Sequence, residues 1–323
     1  MRIMHLLAFV LVPTVFANPP DLFEGAPPVP PGFTSYLEAQ TAVYSGKIPA
    51  IKKPTTFPDE IEVSLDVVYA THGGEELKID VFVPKSATKP VPGLLLIHGG
   101  GWRMGNRNDC HFYNVELAKL GYVTAAVQYR LSPKHHFPDA VHDVKHAIAW
   151  LRKNADTYHI DPKHLGVLGG SAGGHLTLMA GYAQEPLLEC PDAPNGIDTR
   201  VQAIINLYGV VDCATSYARE AKEVTDFIGK DYEADPEAYN MASPLHHLSA
   251  DDPPTLTFHG TIDELVPIEQ ADTLHRKLDE LGVPNYYDRV EGWPHSMDIA
   301  KPVNDRCLFI MQRFLKKYLP LPE

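Results

Sequence analysis

From residue 92 onward, short runs that are almost entirely apolar alternate with longer stretches whose apolar positions recur every third or fourth residue. The runs at 92–97, 123–128, 164–168, 203–208 and 254–260 have the length of buried strands, a last strand is expected near 285–290, and 140–154 has the period of a helix that buries one face. Strand and helix taking turns in this way predict an α/β architecture: a mostly parallel sheet with helices on both faces. Ahead of it, 61–69 and 77–83 alternate apolar and polar residues around Thr71-His72-Gly73-Gly74, the pattern of an antiparallel hairpin that leads the sheet. Residues 61–323 therefore read as one domain without internal repeats. The rhythm breaks at 209–248, an acidic stretch with a short helix expected near 220–228. An insert there, between the sixth strand and the next, is expected to form a small lid.

Upstream of the hairpin, six prolines between 18 and 31 predict an extended arm, followed by a short helix within 34–47. The first residues carry one positive charge, Arg2, then a mostly apolar run over 3–12, a proline at 13 and Val15-Phe16-Ala17. That order is expected of a secretory signal cleaved after Ala17, which would make the protein secreted or periplasmic. The run is too short to span a bilayer, and no later stretch is longer, so stable membrane insertion is not expected. Loss of Arg2 would move the formal charge from −13 to −14, which argues against nucleic acid and anionic lipid as partners.

Candidate chemistry gathers where strands end. Gly169-Gly170-Ser171-Ala172-Gly173 puts one serine between glycines at a strand-to-helix turn, the pattern of a nucleophile elbow. The strand at 92–97 empties into His98-Gly99-Gly100-Gly101-Trp102, whose bare backbone leaves N–H groups open to a developing oxyanion. Gly100 and Gly101, with the N–H of Ala172, are the expected oxyanion hole. A phosphate loop is the competing reading, but no Gly-Lys-Ser/Thr sequence follows. Asp263 lies just past the strand at 254–260, and His295 just past the one at 285–290. The order Ser171, Asp263, His295 is the nucleophile, acid, base order of α/β-hydrolases. Glu264, Asp298 and Asp212 stand open as alternative acids. Trp102, Tyr208 and Trp293 are candidate substrate contacts, with Tyr217 and Tyr232 further aromatic candidates, each weighed against plain packing. No CxxC or HExxH spacing is present, so neither a metal nor a cofactor is expected.

Taken with Tyr129-Arg130-Leu131-Ser132-Pro133 and Phe137-Pro138-Asp139-Ala140-Val141-His142-Asp143, these motifs resemble the α/β-hydrolase carboxylesterases of the hormone-sensitive-lipase-like clan. The resemblance covers roughly 63–318 and implies the α/β-hydrolase fold and serine-ester hydrolysis. It also implies that Asp143 fastens loops and that His98 shapes the oxyanion loop. Lipase-like members carry Asp where this chain has Gly170. The spelling of residues 169–176 is more similar to bacterial acetyl-xylan and feruloyl esterases, which implies short acyl or feruloyl esters of plant polysaccharides as substrates. A small-molecule carboxylesterase or an arylformamidase would use the same groups, whereas a non-enzymatic adhesion module of this fold would be expected to lack one of the three. Of the three pairings open to four cysteines, this fold suggests Cys190 with Cys213 and Cys110 with Cys307.

Overall fold

The computed structural model describes residues 20–191 and 196–322, so the expected signal at 1–17 lies outside the described residues. Eight strands form one sheet: β1 (Ile61–His72), β2 (Glu75–Pro84), β3 (Val91–Ile97), β4 (Val123–Val127), β5 (Ile160–Gly170), β6 (Ala203–Leu207), β7 (Thr255–Gly260) and β8 (Asn285–Val290). Their spatial order is β1-β2-β4-β3-β5-β6-β7-β8. β1 and β2 are the expected hairpin, β2 joins β4 antiparallel, and every later pairing is parallel.

The apolar runs become central strands because both of their faces are covered. Along β3, Leu95 and Ile97 point into one core while Leu94 and Leu96 point into the other, and in β5 Val167 and Leu168 divide the same way. Helices Asp139–Lys153 and Ala172–Tyr182 close the first face, and His111–Lys119 and Lys301–Tyr318 the second. Helix Asp139–Lys153 buries Val141, Val144, Ile148 and Leu151, carries Asp139 in its first turn and ends on Arg152 and Lys153, charges that suit its dipole. Register then aligns the strand ends that matter: Ile97 lies opposite Gly169, and Gly170 opposite Leu207. Residues beyond the carboxyl ends of β3, β5, β7 and β8 therefore share one edge of the sheet.

Two expectations need correction, and a third is met. The arm is not extended throughout: Pro20–Phe23 make one helical turn, which a proline at its start permits, and Leu22 is buried in the second core. The helix expected within 34–47 is Tyr36–Tyr44, capped by the Ser35 hydroxyl. None of the four cysteines forms a disulfide, and all four are buried thiols. Cys213 Sγ donates to Ala242 O and Cys190 Sγ meets His146 Nδ1 at 3.5 Å, while Cys110 and Cys307 share a core face without bonding. A shared face does not aim two Cβ vectors at each other, which a disulfide requires.

Asp143 does fasten loops. Fully buried, it accepts bonds from Arg130 N at 2.8 Å, Nε at 2.9 Å and Nη2 at 2.8 Å, and Arg130 also holds Asp139 O. Arg130→Met leaves that carboxyl buried without its cation. Urea denaturation should register a loss of about 3–5 kcal/mol, and the double replacement Arg130→Met/Asp143→Leu should recover most of it.

Candidate active site

The elbow is built from what its glycines lack. A Cβ on Gly169 would come 2.3 Å from Gly173 O, and one on Gly173 would come 2.1 Å from Ile97 O. Only bare backbone lets the helix start so close to β3 and β5. Ser171 takes the strain, at φ 58° and ψ −123°, with its N–H bonded to Leu207 O and its C=O accepting from His175 N. The glycine loop abuts this turn, because a Cβ on Gly99 would meet Gly170 O at 2.8 Å and Ser171 Cβ at 3.3 Å. Gly100 and Gly101 follow at φ 112° and 58°. His98 shapes the loop from behind: its ring stacks on Tyr129 at 4.3 Å, its Nδ1 bonds Gly99 O at 2.8 Å, and burial lowers its pKa.

Beyond β8, the His295 loop lies across the end of β7, which Gly260 permits, since a Cβ there would meet Trp293 O at 2.0 Å. His295 Nε2 stands 2.9 Å from Ser171 Oγ, and its Nδ1 stands 2.7 Å from Asp263 Oδ2. The other oxygen of Asp263 accepts from the N–H groups of Leu265 and Val266. Burial raises the Asp263 carboxyl, but bonds from His259 and His295 outweigh that and hold it at about 2. The alternative acids are engaged elsewhere. Asp298 accepts from the hydroxyls of Tyr208 and Tyr113, Asp212 caps the insert through Ala214 N, and Glu264 is exposed.

The three aromatic candidates sit differently from expectation. Trp102, Tyr208 and Trp293 are only 2%, 5% and 1% exposed. Trp102 stacks on Phe227 of the insert and donates to His175 Nδ1, and Trp293 donates to Pro30 O of the arm with Phe33 edge-on against it. Tyr208 packs its ring 4.6 Å from His295 and gives its hydroxyl to Asp298. These are packing and anchoring contacts in place of open stacking faces. The loss of a side chain at Gly170 belongs here too, because a Cβ would press on Tyr208 Oη at 3.2 Å. Of the other two aromatics, Tyr217 is half-buried and Tyr232 lies under the Arg219 guanidinium.

Two histidines in this site had no sequence signal beyond their neighbours. His259, fully buried in β7, bonds Val266 O at 2.8 Å and lies 3.3 Å from Asp263 Oδ2. His175, whose pKa burial pushes down to about 4, takes the Trp102 N–H on Nδ1 and donates from Nε2 to Ala242 O. It pins both the glycine loop and the insert to the helix Ala172–Tyr182. Adjacency of His259-Gly260 to Asp263 and the Gly-Gly-His spelling are the signals that could have marked them.

Residues 79–278 match the family BD-FAE. The chain belongs to that family. Esterase LipC of Mycobacterium tuberculosis (strain ATCC 25618 / H37Rv) is 34% identical to this chain over 221 residues, 66% of this chain and 54% of LipC. The chain thus spans about half the length of the curated relatives it matches. Among solved structures, a truncated form of a carbohydrate esterase from gut microbiota superposes with TM-score 0.68 at 25% identity, covering 82% of this chain and 99% of that one. The propionate-bound Est2 of the Planctomycetes species Thermogutta terrifontis gives TM-score 0.70 at 26% identity, over 82% of this chain and 97% of that one. This BD-FAE chain has the α/β-hydrolase fold that the sequence motifs implied, and among its described residues no helix is long and apolar enough to cross a membrane.

Two measurements test this geometry. Gly173→Ala drives a methyl into the backbone carbonyl of Ile97, so its stability should fall by at least the upper end of the about 1–3 kcal/mol typical of overpacking. For Asp263, a folded pKa of about 2 against the ordinary 3.8 means a stabilising contribution that is complete above roughly pH 4 and is lost as pH falls through 2. That contribution is about 2 kcal/mol. The stability gap between wild type and Asp263→Asn should therefore narrow over that window in denaturant titrations.

Proposed function

We propose that this chain is a serine carboxylic-ester hydrolase, exported by the segment at 1–17, that releases acetyl or feruloyl groups from polysaccharide-derived esters. The contact that carries the reading is the line from Asp263 through His295 to Ser171, with separations of 2.7 and 2.9 Å. Ser171 Oγ attacks the acyl carbon as His295 Nε2 takes its proton, while Asp263 holds Nδ1–H and stabilises the imidazolium. The N–H groups of Gly100, Gly101 and Ala172 receive the oxyanion, each donor contributing about 3 kcal/mol in the transition state. His295 then gives its proton to the leaving alcohol, and water repeats the attack on the acyl-enzyme. This cycle uses no cofactor.

The polysaccharide reading is supported by the spelling of residues 169–176 and by the likeness to a carbohydrate esterase. The insert is short, and it docks through Phe227 on Trp102 and through Arg103 to Asp226. It lies against the glycine loop, and its small size favours a lightly capped site suited to short acyl groups. Propionate bound to Est2 favours a second reading, a short-chain esterase for small molecules.

Ser171→Ala should lower ester hydrolysis by about 10⁶-fold while thermal unfolding stays within a few degrees. Retained turnover would remove the nucleophile assignment. In an acyl series, each methylene left outside a pocket forgoes roughly 0.8 kcal/mol, so kcat/KM should fall beyond about four to six carbons. Mass analysis of acetylated xylan and feruloylated arabinoxylan digests separates the two readings: released acetate or ferulate supports the first, and turnover of simple esters alone supports the second.

A further inference from the structure

Away from the site just described, three side chains with metal-ligand chemistry converge from three separate elements. His72 ends β1, His146 lies on helix Asp139–Lys153, and Cys190 lies in the loop after helix Ala172–Tyr182. One ligand atom from each falls within 4.8 Å of the other two. His146 Nδ1 and Cys190 Sγ are 3.5 Å apart. Zinc bonds of about 2.05 Å to nitrogen and 2.3 Å to sulfur, opened to the tetrahedral angle, place two such ligands about 3.5 Å apart. The pair that now shares a thiol–imidazole hydrogen bond is therefore spaced as two donors to one ion would be.

We propose that His72, His146 and Cys190 form a binding site for a single zinc-class divalent cation, with a fourth position left to water. Two imidazoles and a thiolate are the borderline-soft donor set that zinc favours over calcium or magnesium. Binding replaces the Cys190 S–H bond with an S–metal bond, and the proton leaves to water. His146 and Cys190 are buried and His72 half-buried, so the cluster is largely shielded from bulk water. Asp143 Oδ1, 3.5 Å from His72 Nε2 and itself held by Arg130, supplies a fixed negative charge beside the cation. The ligands are 74 and 44 positions apart in the chain, which is why no spacing motif announces them. β1 lies four strand steps from β5, roughly 19 Å across the sheet, so the ion would brace the hairpin, helix and loop without touching Ser171.

The full chain, stripped with a chelator, is to be titrated with zinc against a chromophoric chelator, and bound metal counted by elemental mass spectrometry. One zinc per chain is expected, with affinity falling more than about 100-fold in Cys190→Ser and in His146→Ala, beyond the range for outer-shell partners. Cobalt should give a thiolate charge-transfer band that Cys190→Ser abolishes. In the wild type, zinc should slow alkylation of Cys190 while leaving Cys110, on the other core face, unchanged. This last readout stands even where a variant does not fold. Ester turnover should be equal with and without zinc. Substoichiometric binding, binding that survives both replacements, or alkylation of Cys190 indifferent to zinc would overturn the site.

Discussion

Everything in the candidate site hangs on one close approach: the carbonyl of Ile97 against the backbone of Gly173, 2.1 Å from where a Cβ would stand. That approach lets the helix Ala172–Tyr182 begin directly under the ends of β3 and β5, which forces Ser171 to φ 58° and turns its side chain out of the sheet. It also brings the glycine loop after β3 against the elbow. The nucleophile candidate and the oxyanion candidates are thus placed by one contact. The strain at Ser171 is held by the Leu207 and His175 backbone bonds on either side, and by a helix buried along its whole length.

Around that contact the protein uses buried histidines as connectors. His98 stiffens the glycine loop, His175 ties loop and insert to the helix Ala172–Tyr182, and His259 joins the Asp263 loop to β7. Burial disfavours the charged form of such rings, as the lowered values of His98 and His175 express. A neutral imidazole offers one donor and one acceptor at fixed separation, so it can bridge two backbones without bringing an uncompensated charge into the core. His295 differs from these in facing a carboxylate on one nitrogen and a hydroxyl on the other.

The architecture was legible because a parallel sheet covered on both faces writes itself as unbroken apolar runs, and β3, β4 and β6 are buried at every position. Ser171, Asp263 and His295 stood out for a related reason: each lies within a few residues of the end of a strand legible in the sequence, so its position already pointed to one sheet edge. What could not be read depends on side-chain direction across distant segments. Trp102 and Trp293 look like open aromatics in the sequence, but Phe227 and the arm residues that cover them are contributed from far along the chain. The cysteine pairing failed the same way, since sharing a sheet end or a core face says nothing about where Sγ points. The arm's helical turn escaped because proline excludes helix interiors and tolerates helix starts.

Gly170 shows how these layers interact. In lipase-like relatives an acid stands at that position, and here the space is taken by Tyr208, whose hydroxyl is bonded to Asp298 and whose ring backs His295. Asp298 is fully enclosed, and burial raises its pKa against the pull of the Tyr208 and Tyr113 bonds. A second carboxylate at position 170 would bring like charge toward this pocket and a side chain into Tyr208. Glycine before the serine and the Tyr208–Asp298 pair are therefore two halves of one solution. The imidazole is backed by a rigid aromatic wall, and Asp263 on the opposite side is left as the carboxylate that meets it.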